Sequence, residues 1–259
     1  MVNQLASEIN AEAKAAEQFW KDRNTSWAID RAMLQEEYRQ KVAGFEVIQS
    51  NEPGTQFSLG VSILAGKDPT WTLPITTQDP AQRHDMNKVE RFARGVMNEV
   101  DKRWRKRGHN SWFWEFCWYV TSGAVCAFPH IEKLPGKGIA FVCDLWDPMT
   151  VYPVYSNDGL GALFHIYQTT RGIAESQAKN TEGWDATALI EKGRLAGGTL
   201  ANQASKDDTV SVVDKWWEEK DEKRNIKVMN VVTMDGTIVK KPTHHDEFRR
   251  IPIPISPAN

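Results

Sequence analysis

The residues best suited to hold a metal ion are the adjacent His244 and His245 followed by Asp246, because imidazole and carboxylate are common ligands. Neighbouring side chains of an extended segment point to opposite faces, so two adjacent histidines rarely reach one ion, and no metal site is expected there. Gly136-Lys137-Gly138 has the residue types of a phosphate-cradling loop without its spacing, and it precedes a strand-like run, so it reads as a plain turn. Nucleophilic catalysis would need a Ser or Cys beside a His. No nucleophile-elbow or cysteine-protease context surrounds Ser122, Ser211, Cys117 or Cys126. Asp144, Asp147 and Asp158 fall near predicted turns, where two of them could converge as an acid pair, although carboxylates are common in turns for local reasons. No catalytic, cofactor-binding or metal-ligating residue is assigned, and neither an enzyme nor a cofactor is expected.

Binding chemistry has more candidates. Lys102-Arg103-Trp104-Arg105-Lys106-Arg107 is a basic run, and clustered cations bind nucleic acid by releasing phosphate counterions. The alternative is local, since cations at a helix C-terminus complement its dipole. Lys102, Arg103, Arg105, Lys106 and Arg107 are therefore candidate DNA or partner contacts. The pairs Trp112/Trp114 and Trp216/Trp217 could stack on bases or sugars, or pack in a core or between subunits, and all four are candidate subunit-interface residues. Eleven tryptophans in 259 residues imply extensive packing surface. A structural subunit, a tryptophan-rich carbohydrate- or nucleic-acid-binding module, and a hydrolase with converging acids are the three readings in play.

Composition bounds these readings. The chain has a net charge of −2 and is 41% hydrophobic, enough for a core in one large or two modest domains. No global field selects nucleic acid or an acidic partner, so any DNA contact must be local. The three cysteines, Cys117, Cys126 and Cys143, sit among apolar residues without a C-x-x-C pair, and free structural thiols in a reducing compartment are expected. The apolar run 112–128 contains Glu115, Thr121 and Ser122 and is shorter than the roughly 20 residues that span a bilayer. The polar, acidic start does not read as a secretory signal, so a cytoplasmic chain is expected.

The elements that must position these residues are legible from spacing. Leu5, Ile9, Ala13, Ala16 and Phe19/Trp20 recur at three- and four-residue steps and predict an amphipathic helix over 5–20. A second helix is expected over 27–42, with Gly44 as its stop; together they form a helical hairpin occupying 1–48. Gly, Pro, Ser and Thr dominate 50–82, so 49–84 reads as a loop or short hairpin. Met86, Val89, Phe92/Ala93, Val96/Met97, Val100 and Trp104 predict a helix over 85–106, and Ser111 is placed to cap a buried helix over 112–128. Strand-like runs follow at 139–145, 151–155, 163–169, 210–217, 227–233 and 238–240. Turn signals at Asn157-Asp158-Gly159 and Met234-Asp235-Gly236-Thr237 join them into an antiparallel meander. Residues 173–204 are expected to form a helix and then a loop, and the prolines of 251–257 give an extended end with no closing element. Helices first and strands after make an α+β fold, with 85–259 as its α+β domain.

The region 89–259 resembles the portal proteins of tailed bacteriophages, the head-tail connectors, in three patterns that occur in order. Val89-Glu90-Arg91-Phe92-Ala93-Arg94-Gly95 leads through the basic run to an aromatic helix ending Thr121-Ser122-Gly123-Ala124-Val125-Cys126-Ala127-Phe128, similar to a portal helix pair that ends in a small-residue turn before the sheet. Asp144-Leu145-Trp146-Asp147-Pro148-Met149-Thr150-Val151-Tyr152-Pro153, with Asp158-Gly159 and a strand reaching Tyr167 and Arg171, resembles the portal "D-P-x-x-V-Y-P" strand and hairpin. Asp246-Glu247-Phe248-Arg249-Arg250-Ile251-Pro252-Ile253-Pro254-Ile255 is similar to the proline-bearing segment before the portal stem helix.

The resemblance implies a portal wing-like domain, the N-terminal or wing part of a portal, with stem, clip and crown lying outside this chain. It implies a structural subunit of a homo-oligomeric ring of about a dozen copies joined head to tail. That ring is the channel for DNA entry and exit at the capsid vertex, serving genome packaging and ejection. The implied partners are copies of itself, the terminase large subunit, the major capsid protein, head-completion and tail proteins, and double-stranded DNA in the channel, with no membrane. The implied location is the virion, after assembly in the host cytoplasm.

Overall fold

A computed structural model describes residues 2–35, 51–66, 80–134, 138–181, 183–196, 207–220 and 225–257. The elements run α1 (Val2–Phe19), α2 (Lys21–Leu34), α3 (Glu52–Ala65), α4 (Pro80–Lys106), α5 (Trp112–Thr121), β1 (Ala124–Leu134), β2 (Gly138–Trp146), a 3-10 turn (Pro148–Thr150), β3 (Val151–Ser156), β4 (Gly159–Thr170), α6 (Arg171–Asn180), α7 (Thr187–Ala196), β5 (Thr209–Lys220), β6 (Ile226–Met234), β7 (Thr237–His244) and β8 (Ile255–Pro257). The fold is α+β, N-terminal helices followed by an antiparallel meander. The chain divides into two compact units, Met1–Thr25 with Met149–Pro252 and Ser26–Pro148 with Ile253–Asn259.

In the first unit five strands pair antiparallel in the order β3-β4-β5-β6-β7. Successive strand residues face opposite ways, and Val212 and Val213 accordingly belong to different cores. On one face Val213, Val231, Phe164, Tyr152 and Ile238 pack under Ala6, Ile9, Ala13 and Ala16 of α1; the small alanines let the helix lie close to the sheet. On the other face Val212, Val210, Val232, Met234 and Val239 meet Ala174 of α6 and Leu189 of α7. The β6–β7 turn has Asp235 at φ 50° and Gly236 at φ 71°, the paired positive angles of the hairpin turn that Asp-Gly specifies.

β3 is an edge of that sheet, and the start of α2 covers its free carbonyls. The Trp20 indole donates to Pro153 O at 2.8 Å, Arg23 Nη2 to Val151 O at 3.0 Å and Asn24 Nδ2 to Met149 O at 2.9 Å. Two alternate carbonyls of the edge strand, and that of Met149 in the turn before it, are thereby withheld from another strand. Only Trp20 separates α1 from α2, and the bonds Trp20 N to Ala16 O and Asn24 N to Trp20 O carry the helical pattern across it.

In the second unit α4 and α5 pack on β1 and β2, with Val100, Trp104, Trp112, Val125 and Leu145 as the buried centre. Phe57 of α3 meets Trp118 of α5 edge-on at 5.8 Å. The cap of α5 comes from α4: Asp101 Oδ1 accepts from Trp112 N at 2.7 Å, while Ser111 at the N-cap position makes no side-chain cap bond. Glu115 reaches back to Asn110 N at 2.9 Å.

Five expectations about elements are corrected. Residues 52–65 of the expected loop form α3, because Pro53 in the first turn and the apolar Phe57 and Val61 outweigh the Gly, Ser and Thr content. The helix expected over 112–128 stops at Thr121, where Gly123 at φ 118° turns the chain into β1. The region 173–204 holds a second helix, α7, beyond the first; residues 197–206 lie outside the described residues. The extended end does close a sheet: β8 adds to β1, giving the order β2-β1-β8. The second helix of the chain begins earlier than expected, at Lys21, and the part of its expectation over 36–42 lies outside the described residues.

Candidate functional site

A connected chain of polar side chains in the first unit lies across β5, β6 and β7. Asp214, Asn230 and Lys240 are brought together by the register Asp214↔Val232, Trp216↔Asn230 and Val232↔Lys240. Asn230 donates from Nδ2 to Asp214 Oδ1 and to Lys215 O, and accepts from Lys240 Nζ. Lys240 Nζ also lies 3.2 Å from His245 Nε2, and His245 Nδ1 lies 2.8 Å from Glu247 Oε1. An ammonium can only donate, so Nε2 faces Lys240 as the acceptor and Nδ1–H donates to Glu247. The His245 ring stands against Trp216 at 5.0 Å and Phe248 at 5.9 Å.

Asp214 keeps a little accessible surface but is surrounded by protein. Burial pushes its carboxyl up to about 6, against the Asn230 hydrogen bond and the Lys240 charge. Burial also lowers Lys240, opposed by Asp214 and Glu247. Partial burial would raise Glu247, yet the His245 hydrogen bond and the nearby charges hold it below its ordinary range. The chemistry this permits is proton sharing along an internally satisfied chain. Its mechanical role is to fasten segment 245–252 to the sheet, assisted by Glu218, which accepts from Arg250 at 2.8 Å and from Ile251 N at 3.3 Å.

The sequence candidates separate. His244 turns to Asp246 at 2.9 Å while His245 turns to Glu247, and no three metal-ligating side chains gather among the described residues. In the basic run, Arg103 pairs with Glu99 at 2.8 Å, Arg105 with Asp101 at 2.8 Å and Arg107 with Asp144 at 2.6 Å, whereas Lys102 and Lys106 are exposed. Asp144 is thus taken by Arg107, Asp147 by both guanidinium arms of Arg31 at 2.8 Å, and Asp158 by Lys220. Lys137 of the glycine-flanked turn lies outside the described residues.

The tryptophans divide between core and surface. Trp112 is buried, donates to Cys143 O at 2.7 Å and stacks on Phe116 at 5.3 Å, while Trp114, two residues on along the helix, is 37% exposed. Trp216 is buried under segment 245–252, and Trp217, on the opposite face, donates to Glu219 at 2.8 Å. Trp112 and Trp114 belong to one compact unit, Trp216 and Trp217 to the other. All three cysteines are free thiols; burial raises Cys126 to about 12 and Cys143 to about 11, which leaves them poor nucleophiles.

A concavity of about 660 Å³ lies between α1 and the sheet, lined by Asn10, Lys14, Glu17, Gln168, Ser211 and Asp235 among others. Sequence reasoning missed both this cleft and the Asp214–Lys240 chain, because each depends on strand register. No family model and no curated protein matches the chain.

Proposed function

We propose that the chain is a structural subunit of a phage portal ring, with its function in assembly. The observation that carries this reading is an apolar strip in the second unit that its own core leaves open. Ile131 stands opposite Phe141 in the β1–β2 register, Phe141 meets Phe92 of α4 edge-on at 5.8 Å, and Ile139 shares the Phe141 face. Val89, Phe92, Ile131 and Ile139 are 52%, 62%, 59% and 64% exposed, in line with the buried Val100 and Trp104 further along α4. On α3, Leu59 and Ile63 are 59% and 70% exposed at helical spacing.

Surface of this kind marks an interface, and a ring subunit needs one on each side, joined by a closing rotation. The resemblance supplies the occupant: neighbouring copies, with terminase, capsid and head-completion proteins as further partners. The "D-P-x-x-V-Y-P" segment supports the same reading, since it forms the 3-10 turn and the protected edge strand β3. Native mass spectrometry of the chain, alone and within the longer protein the resemblance implies, tests the proposal. A closed ring of about a dozen copies is expected from the longer protein, and monomers from both would overturn it.

A further inference from the structure

The basic character of α4 is a stripe along the helix rather than a patch at its end. At 3.6 residues per turn, Lys88, Arg91, Arg94, Asn98, Lys102, Arg105 and Lys106 fall within about 120° of the helix circumference. Every one of them is exposed. The four carboxylates of α4, Asp85, Glu90, Glu99 and Asp101, fall outside that sector. Lys88 pairs with Asp85 and Arg105 with Asp101, but Arg91, Arg94, Lys102 and Lys106 have no ion-pair partner among the described residues. From Arg91 to Lys106 the stripe extends about 22 Å, comparable with six or so base pairs of duplex at about 3.4 Å per step.

One residue on this face has no internal explanation. Gly95 lies mid-helix within the basic sector, and a Cβ there would meet nothing within 4 Å. Glycine weakens a helix interior relative to alanine, and no neighbour among the described residues requires it. A bare backbone does permit close approach of an external surface.

We infer that the exposed face of α4 binds the phosphate backbone of duplex DNA without reading its sequence, through Arg91, Arg94, Lys102 and Lys106. The inference stands whether or not the chain forms a ring. Charge complementarity selects a polyanion, and the composition of the face selects which one. Between Arg91 and Lys106 the sector holds no aromatic or aliphatic anchor of the kind a protein partner needs at an interface centre, and no ring on which the bases of a single strand would stack. The exposed Val89 and Phe92 lie on the flank, and Phe92 already meets Phe141. Long cations with an interspersed asparagine suit phosphate oxygens.

The test is fluorescence anisotropy with a labelled duplex of about 25 base pairs and arbitrary sequence, across a salt series. Four phosphate contacts predict a log–log salt slope near −3.6, so affinity should fall roughly 100-fold between 50 and 200 mM salt. The variant Arg91→Gln, Arg94→Gln, Lys102→Gln, Lys106→Gln should lose most of that binding and its salt slope. A charge-matched control, Lys14→Gln, Lys179→Gln, Lys227→Gln, Lys241→Gln, should keep both. Circular dichroism of each variant establishes that the fold is retained; if the α4 variant unfolds, Arg94→Gln with Lys102→Gln replaces it and should halve the slope. Absence of binding at 50 mM salt, or equal loss in the control, would overturn the inference. A single strand bound more tightly than the duplex would also overturn it, as would matched polyglutamate displacing the duplex equally well, which would indicate an acidic protein partner.

Discussion

Asp214 is an acid whose surroundings hold it well above its ordinary range. Its folded carboxyl titrates at about 6 against an ordinary value of 3.8, so the folded state holds the proton more tightly than the unfolded chain. A raised value of this kind contributes stability that is complete below about pH 4 and is lost as pH rises through 6. The full shift corresponds to about 3 kcal/mol, and the remaining solvent access reduces that to roughly 1–2 kcal/mol. Asp214→Asn keeps an acceptor for Asn230 while removing the titration. Urea unfolding between pH 4 and 7 should then show a flatter decline than in the parent, and identical pH profiles would refute the assignment. The sequence offered only a fragment of this site. His245 stood out beside His244 and Asp246, but its partners are Lys240, across a β-bulge, and Glu247; Asn230 and Asp214 enter only through the pairing of β5, β6 and β7. Spacing along a chain carries no information about which strands will be neighbours, so the motif was visible and its chemistry was not.

Among the elements, α1 and α4 were readable because their apolar residues repeat at helical steps against polar faces. The boundary between α5 and β1 was not readable, since a run apolar on every side has no period to distinguish helix from strand. What decides it is Gly123, whose φ of 118° is a conformation that side chains strain to adopt. Gly123→Ala should cost about 1–3 kcal/mol, measurable as a lower urea midpoint with an unchanged m-value; an unaffected midpoint would mean that the junction relaxes freely. The start of α5 is set just as specifically, by a residue from another helix. Asp101 accepts from Trp112 N at 2.7 Å and from Arg105 at 2.8 Å, so Asp101→Ala removes a cap and an ion pair together. The expected loss is about 1–2 kcal/mol, whereas Ser111→Ala should lose almost none, because Ser111 makes no cap bond. Equal losses for the two substitutions would return the capping role to Ser111.

At the scale of the whole molecule, a sequence with helices first and strands after suggests one continuous meander, yet the strands divide into two sheets, of five and three strands. Each compact unit is assembled from two separate segments of the chain, and the short β8 completes the three-stranded sheet from the far end of the sequence. Local patterns could not reveal that division, because nothing in a strand states which sheet it joins. The same blindness applies to surfaces: the α4 stripe predicts that Phe92 is a core residue, and only the structure leaves it 62% exposed. If neighbouring copies cover the strip formed by Val89, Phe92, Ile131 and Ile139, charges introduced there should block assembly while the subunit stays folded. Phe92→Glu with Ile139→Lys removes little that is buried, so subunit stability should change by about 1 kcal/mol or less. In the longer protein that the resemblance implies, native mass spectrometry should then record monomers where the parent records rings. The control Val154→Lys, at a residue 43% exposed on β3, should leave rings intact. Rings that persist with both charges in place would show that this strip is not the subunit contact, and attention would move to Leu59 and Ile63 of α3.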